Sequence, residues 1–378
     1  ALTYQHSGNP SLPDDVTGAS LLPISDTQAI ITWNRSTQQE IVLAGSVIIR
    51  HTSATGGAAT FASAQDVAVV VGSQTQKVVP LLDGTYFLKF QIGTGGTAKR
   101  SETAAALPVT APQVQQSKLI STVAEETAFS GTLSNMSALT VGVTDGIALA
   151  AAGMIDEVVN PPGVDLIGNI DLLGGVAPSG TYEFSAAGLL TLAGGVFDVN
   201  LKRRITSSPY IPNDFIDTWP NPPGIDAREK FDGIEGQNVN AKLFVSSSTD
   251  GTTYSAFSEL QNAVVRGQYF KFKLQVTSAA TNENVHISQL GAFAYLAART
   301  EQNSATGVGG AQAVTFGSAF YEPPTISAAI NDANMQSGDF VTVSSVTRTG
   351  FSFTCTSSAG QSVARDIIYT ASGHGAQV

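Results

Sequence analysis

Charge is scarce in this chain. Only 13% of its 378 residues are Asp, Glu, Lys or Arg, about half the usual ~25%. That excludes a coiled coil, which draws roughly half its residues from Ala, Glu, Lys, Leu and Arg. With 42% hydrophobic residues, the low charge also argues against disorder. Positive charge is the scarcer sign: 19 Lys and Arg face 30 Asp and Glu, a net −11. A duplex-binding protein neutralises phosphates with Lys and Arg, so nucleic acid is not expected as a partner. An anionic membrane surface is disfavoured for the same reason. Cys355 is the sole cysteine, which rules out an intrachain disulfide or a Cys-based zinc site and fits synthesis in a reducing cytoplasm. No run of ~18 apolar residues exists, so membrane insertion through a helix is not expected. The opening ALTYQHSGNPSLPDD lacks a basic and an apolar region; it reads as an extended arm or linker over 1–15, not a signal peptide.

Catalytic and cofactor signatures are missing as well. His6, His51, His286 and His374 are the four histidines, and none has the i, i+4 spacing of a helical metal site. GxSxG, HExxH and GxxxxGK[ST] do not occur. GTGG at 93–96 is followed by TAKRSE rather than an apolar helix, so it reads as a hairpin loop and not a phosphate cradle. No enzyme activity, cofactor or resident metal is expected. The weak metal candidates are Asp214, Asp217, Asp226 and Asp232, which flank a proline-rich stretch and would chelate calcium if they converged. The same aspartates are the only candidates for a paired-carboxylate site, since Glu125–Glu126 and Asp156–Glu157 are adjacent and point to opposite faces on a strand. A solvated loop is the plain reading of the cluster.

What the chain does have is a period of two. TYFLKFQI (85–92) puts Tyr86, Leu88, Phe90 and Ile92 on one face; YFKFKLQV (269–276) does the same with Phe270, Phe272, Leu274 and Val276; FSFTCT (351–356) with Phe351, Phe353 and Cys355. Such alternation predicts antiparallel strands with one buried and one wet face. DG at 83–84, 145–146 and 250–251, and TG at 55–56 and 349–350, supply turn chemistry. The Ala-rich stretch 146–155 is interrupted by Gly153, and no 3.6 period with caps is found elsewhere. The expected fold is all-β, as tandem antiparallel β-sandwiches. LPVTAPQVQQ (107–116) and TEQNSATGVGGAQ (300–312) read as linkers. The expected blocks are 16–107, 113–300, carrying a proline-rich loop at 207–224 packed by Tyr210, Phe215 and Trp219, and 308–378.

Single residues carry mostly structural expectations. His51 closes the strand VIIRH. Cys355 reads as a buried thiol. Lys202, Arg203 and Arg204 form the one local basic cluster and read as a solvated strand surface or an inter-subunit salt bridge. Turn chemistry in STDGTTY (248–254) predicts a hairpin locked by Asp250, Gly251 and Tyr254, with a cation or sugar contact as the alternative.

Trp33 on an early strand and Tyr86 after the turn LLDG make the first block look like a fibronectin type III domain. That resemblance implies that Trp33 fills the core and that the Tyr86 hydroxyl ties an inter-sheet corner to nearby backbone; the spacing before Tyr86 is shorter than the family pattern. The middle block looks like a discoidin or galactose-binding-type jelly roll, and STDGTTY resembles a sialidase Asp-box. The last block resembles small trimeric lectin-like sandwiches. Taken in order, PDDVTGASL, AIITW, VIIRHT, DGTYFLKF, LISTVAEETAFSGT, SGTYEF, GQYFKFKLQV, VHISQLGAFAYL, AVTFGSAFYEPPTISAAI and SVARDIIYTASGHG resemble the C-terminal region of tailed-bacteriophage tail-tip or central tail fibre (host-specificity) proteins over about 13–375. His374 departs from it, standing where an aromatic is usual between two glycines. The resemblance implies a virion structural protein made in the host cytoplasm, a homotrimer, contacts with other tail-tip proteins, and adhesion to a host surface glycan or surface protein. Loops around 321–324, 331–337 and 357–364 are the expected contacts, with Tyr321, Asn331, Asn334, Gln361 and His374 as receptor-binding candidates. The rival expectation is a carbohydrate-active enzyme (a depolymerase or glycosidase) with accessory sandwiches; a bacterial surface adhesin is a third.

Overall fold

The computed structural model describes residues 12–25, 27–93, 98–109, 117–126, 128–141, 143–152, 175–210, 238–279 and 283–378. The fold is all-β, and every strand pairing among those residues is antiparallel. The first body holds β1 (Ser20–Pro23), β2 (Gln28–Thr32), the single described α-helix α1 (Gln39–Ala44), β3 (Ser46–Thr52), β4 (Gln65–Val71), β5 (Gln76–Pro80), β6 (Gly84–Ile92), β7 (Lys99–Arg100) and β8 (Ala105–Val109). One sheet is β1–β2–β5 and the other β4–β3–β6–β7, with β8 also on β6. Ile31, Trp33, Ile41, Val47, Ile49, Tyr86, Leu88 and Phe90 fill the space between them.

The middle body holds β9 (Ser117–Ala124), β10 (Thr132–Ser134), β11 (Met136–Val141), β12 (Thr144–Leu149), β13 (Ala151–Ala152), β14 (Gly175–Val176), β15 (Ser179–Glu183), β16 (Leu190–Thr191), β17 (Phe197–Tyr210), β18 (Val239–Ser248), β19 (Ser258–Leu260), β20 (Asn262–Gly267), β21 (Tyr269–Ser278) and β22 (Asn284–Ala305). One layer is β10–β15–β21–β18–β19 with β16 on β21. The other is β11–β12–β22–β17–β20 with β9 on β22. The alternating side chains of β21 and β17 (Phe270, Phe272, Leu274, Val276; Phe197, Val199, Leu201) meet in the largest core among the described residues.

The last body holds β23 (Gln312–Thr315), β24 (Thr325–Ile330), β25 (Phe340–Ser344), β26 (Gly350–Thr356) and β27 (Ile367–His374). Its sheets are β23–β26–β25 and β24–β27–β22, the last strand borrowed from the middle body. β22 is 22 residues long. Its first part pairs with β17 and β9, and Ala298–Ala305 pairs with β27. Phe316, Phe320, Phe351, Phe353, Cys355, Ile367 and Tyr369 form the third core.

Several sequence expectations need correcting. The stretch 300–312 is not all linker, since 300–305 is strand in register with β27. Asp145–Gly146 is not a turn: it lies inside β12, and the β11–β12 hairpin closes where Val141 faces Thr144. Gly146 serves close approach instead, because a Cβ there would stand 2.2 Å from His286 Nε2. The Ala-rich stretch begins as strand, with 146–149 in β12. The proline-rich stretch also begins as strand: Ser207–Tyr210 end β17, with Pro209 opposite Val285. β20 has left β17 by then, its last partner being Lys202, and proline is tolerated where a strand becomes an edge. Phe215 and Trp219 lie outside the described residues, as do most of the arm over 1–15 and residues 94–97, which include all of GTGG but Gly93.

β6 also departs from expectation. Eight of its nine residues are buried, so its second face is not wet. Phe87 packs there with Ile48, Phe61 and Ala64, and the Lys89 ammonium sits 5.1 Å above the Phe61 ring.

Candidate functional site

The polar groups buried on that second face of the first body form its contact with the middle body. Arg50 is 1% exposed. Its guanidinium donates to Phe61 O at 2.9 Å and to Val239 O at 2.7 Å, and its Nε lies 3.0 Å from Asp66 Oδ1. Burial lowers its pKa, with Asp66 opposing the shift. Gln65 donates to Ser207 Oγ at 2.9 Å and accepts from Ala241 N. Ser207 Oγ donates to Ser63 O, Ser53 N to Ile205 O and Asn262 Nδ2 to Leu81 O. The basic cluster 202–204 is not a solvated strand surface throughout. Arg203 is not solvated but 3% exposed, with no hydrogen-bond partner for Nη1 or Nη2 among the described residues. Arg204 pairs with Glu126 at 2.5 Å, and Lys202 lies over the Tyr295 ring at 5.1 Å.

Trp33 lies in the first core at 4% exposure, its indole N–H without a partner among the described residues. The Tyr86 hydroxyl donates to Pro80 O and accepts from Leu82 N at 3.1 Å, tying the β5–β6 turn to the core. Burial pushes this phenol up. His51 lies 4.7 Å from the Tyr86 ring, and its Nε2 is 3.0 Å from Asp83 O. A carbonyl only accepts, so Nε2 carries the proton. Burial, reinforced by Arg203, pushes the imidazole down to about 3.

Asp250 Oδ1 accepts from Thr252 N and Thr253 N, both at 2.8 Å, and from Ser248 Oγ, while Gly251 sits at φ +76°. Those backbone donors hold the Asp250 carboxyl well below the usual range. The half-buried Tyr254 ring lies 3.9 Å beneath the Lys271 ammonium on the outer sheet face.

The receptor candidates separate into two groups. Tyr321 and His374 lie where the last body meets the middle one. Tyr321 N donates to His374 O at 3.0 Å, and the Tyr321 ring stands edge-on to Phe197 at 5.5 Å. Asn331, Asn334 and Gln361 lie at the opposite end of β24 and β27, on loops tied to each other. Asn331 N donates to Asp366 O, Asp332 accepts from Asn334 N and Asp366 N, and Asp339 Oδ2 accepts from Arg365 Nε at 2.8 Å. Those bonds hold Asp332 and Asp339 below the usual carboxylate range, the backbone N–H of Asn334 and of Gln336 contributing most. Five strand steps of ~3.4 Å separate the two ends, so the five residues do not share one surface. Sequence reasoning covered Met335 only through its loop at 331–337 and missed Phe340, which opens β25 at the same end; both are 52% exposed. The inward alternation of Val341 and Val343 was the available signal for Phe340.

Cys355 is buried, its thiol raised by desolvation. His286 is buried beneath Gly146, and desolvation lowers it. Glu125 is buried and accepts from the Tyr182 hydroxyl and from Ser185 Oγ at 3.1 Å. His6, Asp156, Glu157, Asp214, Asp217, Asp226 and Asp232 lie outside the described residues. Among the described ones, no three His, Cys, Asp or Glu side chains gather as a metal site. The outer face of β24–β27–β22 is a shallow concavity of about 580 Å³ lined by Gln302, Ser304, Ser327, Ala329, Ile368 and Thr370, among others.

No protein-family model matches the chain, and no curated protein matches its sequence.

Proposed function

We propose that this chain is a virion structural protein, the distal part of a phage tail tip or central tail fibre, which adheres to the host surface without catalysis. The observation that carries the reading is the ordered set of phrases along 13–375. The two ends of the last body add to it. One end is occupied by the middle body, and the other presents Asn331, Asn334, Gln361 and Met335 on braced, exposed loops, with Phe340 exposed at the start of β25 beside them. Preformed loops lose little freedom on contact. Several copies on one tip would multiply weak contacts into avidity of about 10²–10⁴ over one copy.

A homotrimer belongs to the same reading. The face lined by Gln302, Ser304, Ser327, Ala329, Ile368 and Thr370 carries no charge, and Ile368 is 47% exposed. Copies of a chain with net charge −11 meet with least repulsion on such a face. Sedimentation mass and host-cell binding of the full chain test both parts. A trimer whose binding is lost in Asn331→Ala/Asn334→Ala/Gln361→Ala, with mass and melting unchanged, is expected. A monomer, or binding untouched by those changes, would sink the corresponding part.

A further inference from the structure

A second surface lies on the middle body, on the outer face of β18 and β21. Three of the nine lysines of this acidic chain, Lys242, Lys271 and Lys273, share it. The 249–257 loop, pinned by Asp250, folds back over the strand. Lys271 Nζ stands 3.9 Å from the Tyr254 ring centre and Lys273 Nζ 4.4 Å from that of Phe257. The Tyr269 ring continues the row beneath Gly251, where a Cβ would touch it at 3.4 Å. Half-buried Phe244 stands across from Lys273. Lys242 is spent on Glu259 at 2.8 Å. Lys271 and Lys273 have no carboxylate within ion-pair distance among the described residues, although Glu183 faces Lys273 in register. Tyr269 to Lys273 spans about 13 Å, and the Lys271 and Lys273 ammonium groups spring from positions about 7 Å apart.

We propose that this strip binds an acidic polysaccharide bearing a carboxylate on alternate sugars, Lys271 and Lys273 meeting carboxylates and Tyr254, Phe257 and Tyr269 meeting sugar faces. An exposed cation–π contact is weaker than a charge-assisted hydrogen bond to a carboxylate. The ammonium groups therefore exchange ring for ligand readily, and the exchange uncovers ring faces for stacking. Gln275 stands across from Lys242 on the same face, and its amide suits sugar hydroxyls, whereas Ser246, across from Lys271, is buried with its hydroxyl donating to Ser255 O at 2.6 Å. A single-stranded nucleic acid would use the same residue types. Its phosphates need a denser row of cations than two lysines supply, and the net charge of −11 opposes it.

The test is calorimetric titration of the full chain with a hexasaccharide of alternating glucuronate and N-acetylhexosamine, with its carboxyl-reduced form, and with oligothymidylate. The acidic sugar is expected to bind. Affinity should fall about tenfold or more on carboxyl reduction, and as much in Lys271→Gln/Lys273→Gln. Lys271→Arg/Lys273→Arg should stay close to the unmodified chain. No binding of the acidic sugar, equal binding of the reduced one, an unaffected and normally melting Gln variant, or tighter binding of oligothymidylate each overturns the proposal. The assay contains no cells, so its failure leaves the adhesion reading standing, and failure of cell adhesion leaves this strip standing.

Discussion

The two junctions between bodies are built on opposite principles. Between the first and middle bodies, side chains carry the contact: Arg50, Gln65, Ser207 and Asn262 reach across to backbone and to one another. Between the middle and last bodies, the backbone carries most of it, with Arg348, which donates to Gly194 O at 2.9 Å, as the main side-chain addition. β22 runs through both sheets, and Gly375 N, Gln377 and Val378 N return to Ala297, Phe197 and Val196. A backbone ladder is indifferent to most substitutions. A lattice of buried polar side chains is not, because each lost partner strands a group that water cannot reach. The first junction should be fragile to mutation and to pH, and the second tolerant of both.

The largest effect should come from Arg50→Ala. It takes the guanidinium donor from Val239 O, removes one of the two donors to Phe61 O, where Ala64 N remains at 3.3 Å, and removes the cation 5.1 Å from the Phe61 ring. Each buried acceptor left unsatisfied costs ~1–3 kcal/mol, so a loss of about 3 kcal/mol is expected. Denaturant unfolding measures it. Hydrogen exchange should rise first in β4 and β18, which meet at this junction, and not in β26 or β27. Equal loosening of the last body would break the contrast.

How much of this the sequence told depends on how far away each neighbour lies. FSFTCT reads correctly as Phe351, Phe353 and Cys355 inward, because a period of two needs only the strand itself. The second buried face of β6 was invisible. Its cover comes from Phe61 and Ala64, over twenty residues upstream, and from the middle body beyond them. Arg203 was misread for the same reason: a cationic triplet looks wet until a second body lies on it. The separation of Tyr321 and His374 from Asn331 and Gln361 was legible in principle. TISAAI between Pro324 and Asn331 is one strand, and a strand keeps its two ends apart.

The pH response should be smaller and should belong to the first body. His51 is held neutral down to about 3 in the fold, whereas an unfolded histidine titrates near ~6.5. The unfolded state therefore binds the proton first, and stability falls as pH drops from ~6.5 towards 3. Between pH 7 and 5 the loss is on the order of 2 kcal/mol. Urea unfolding at a series of pH values checks it, and His51→Gln should flatten the slope. An unchanged slope in that variant would place the titrating group elsewhere.

The smallest effect should come from the second junction, at Lys118→Ala. Lys118 Nζ meets Glu322 at 2.5 Å, across the same boundary that β22 spans. The two side chains are 40% and 57% exposed. Solvent screens such a pair, and ordering two long side chains offsets much of its attraction, so the median worth is ~0–1 kcal/mol. Next to it run the eight residues over which β22 pairs with β27 and the edge-on contact of Phe197 with Tyr321, none of which Lys118 supports. A loss under ~0.5 kcal/mol in denaturant unfolding is expected, with no change in exchange at β27. A loss as large as that of Arg50→Ala would mean that side chains hold this boundary too, and that the continuous strand contributes little to keeping the last body in place.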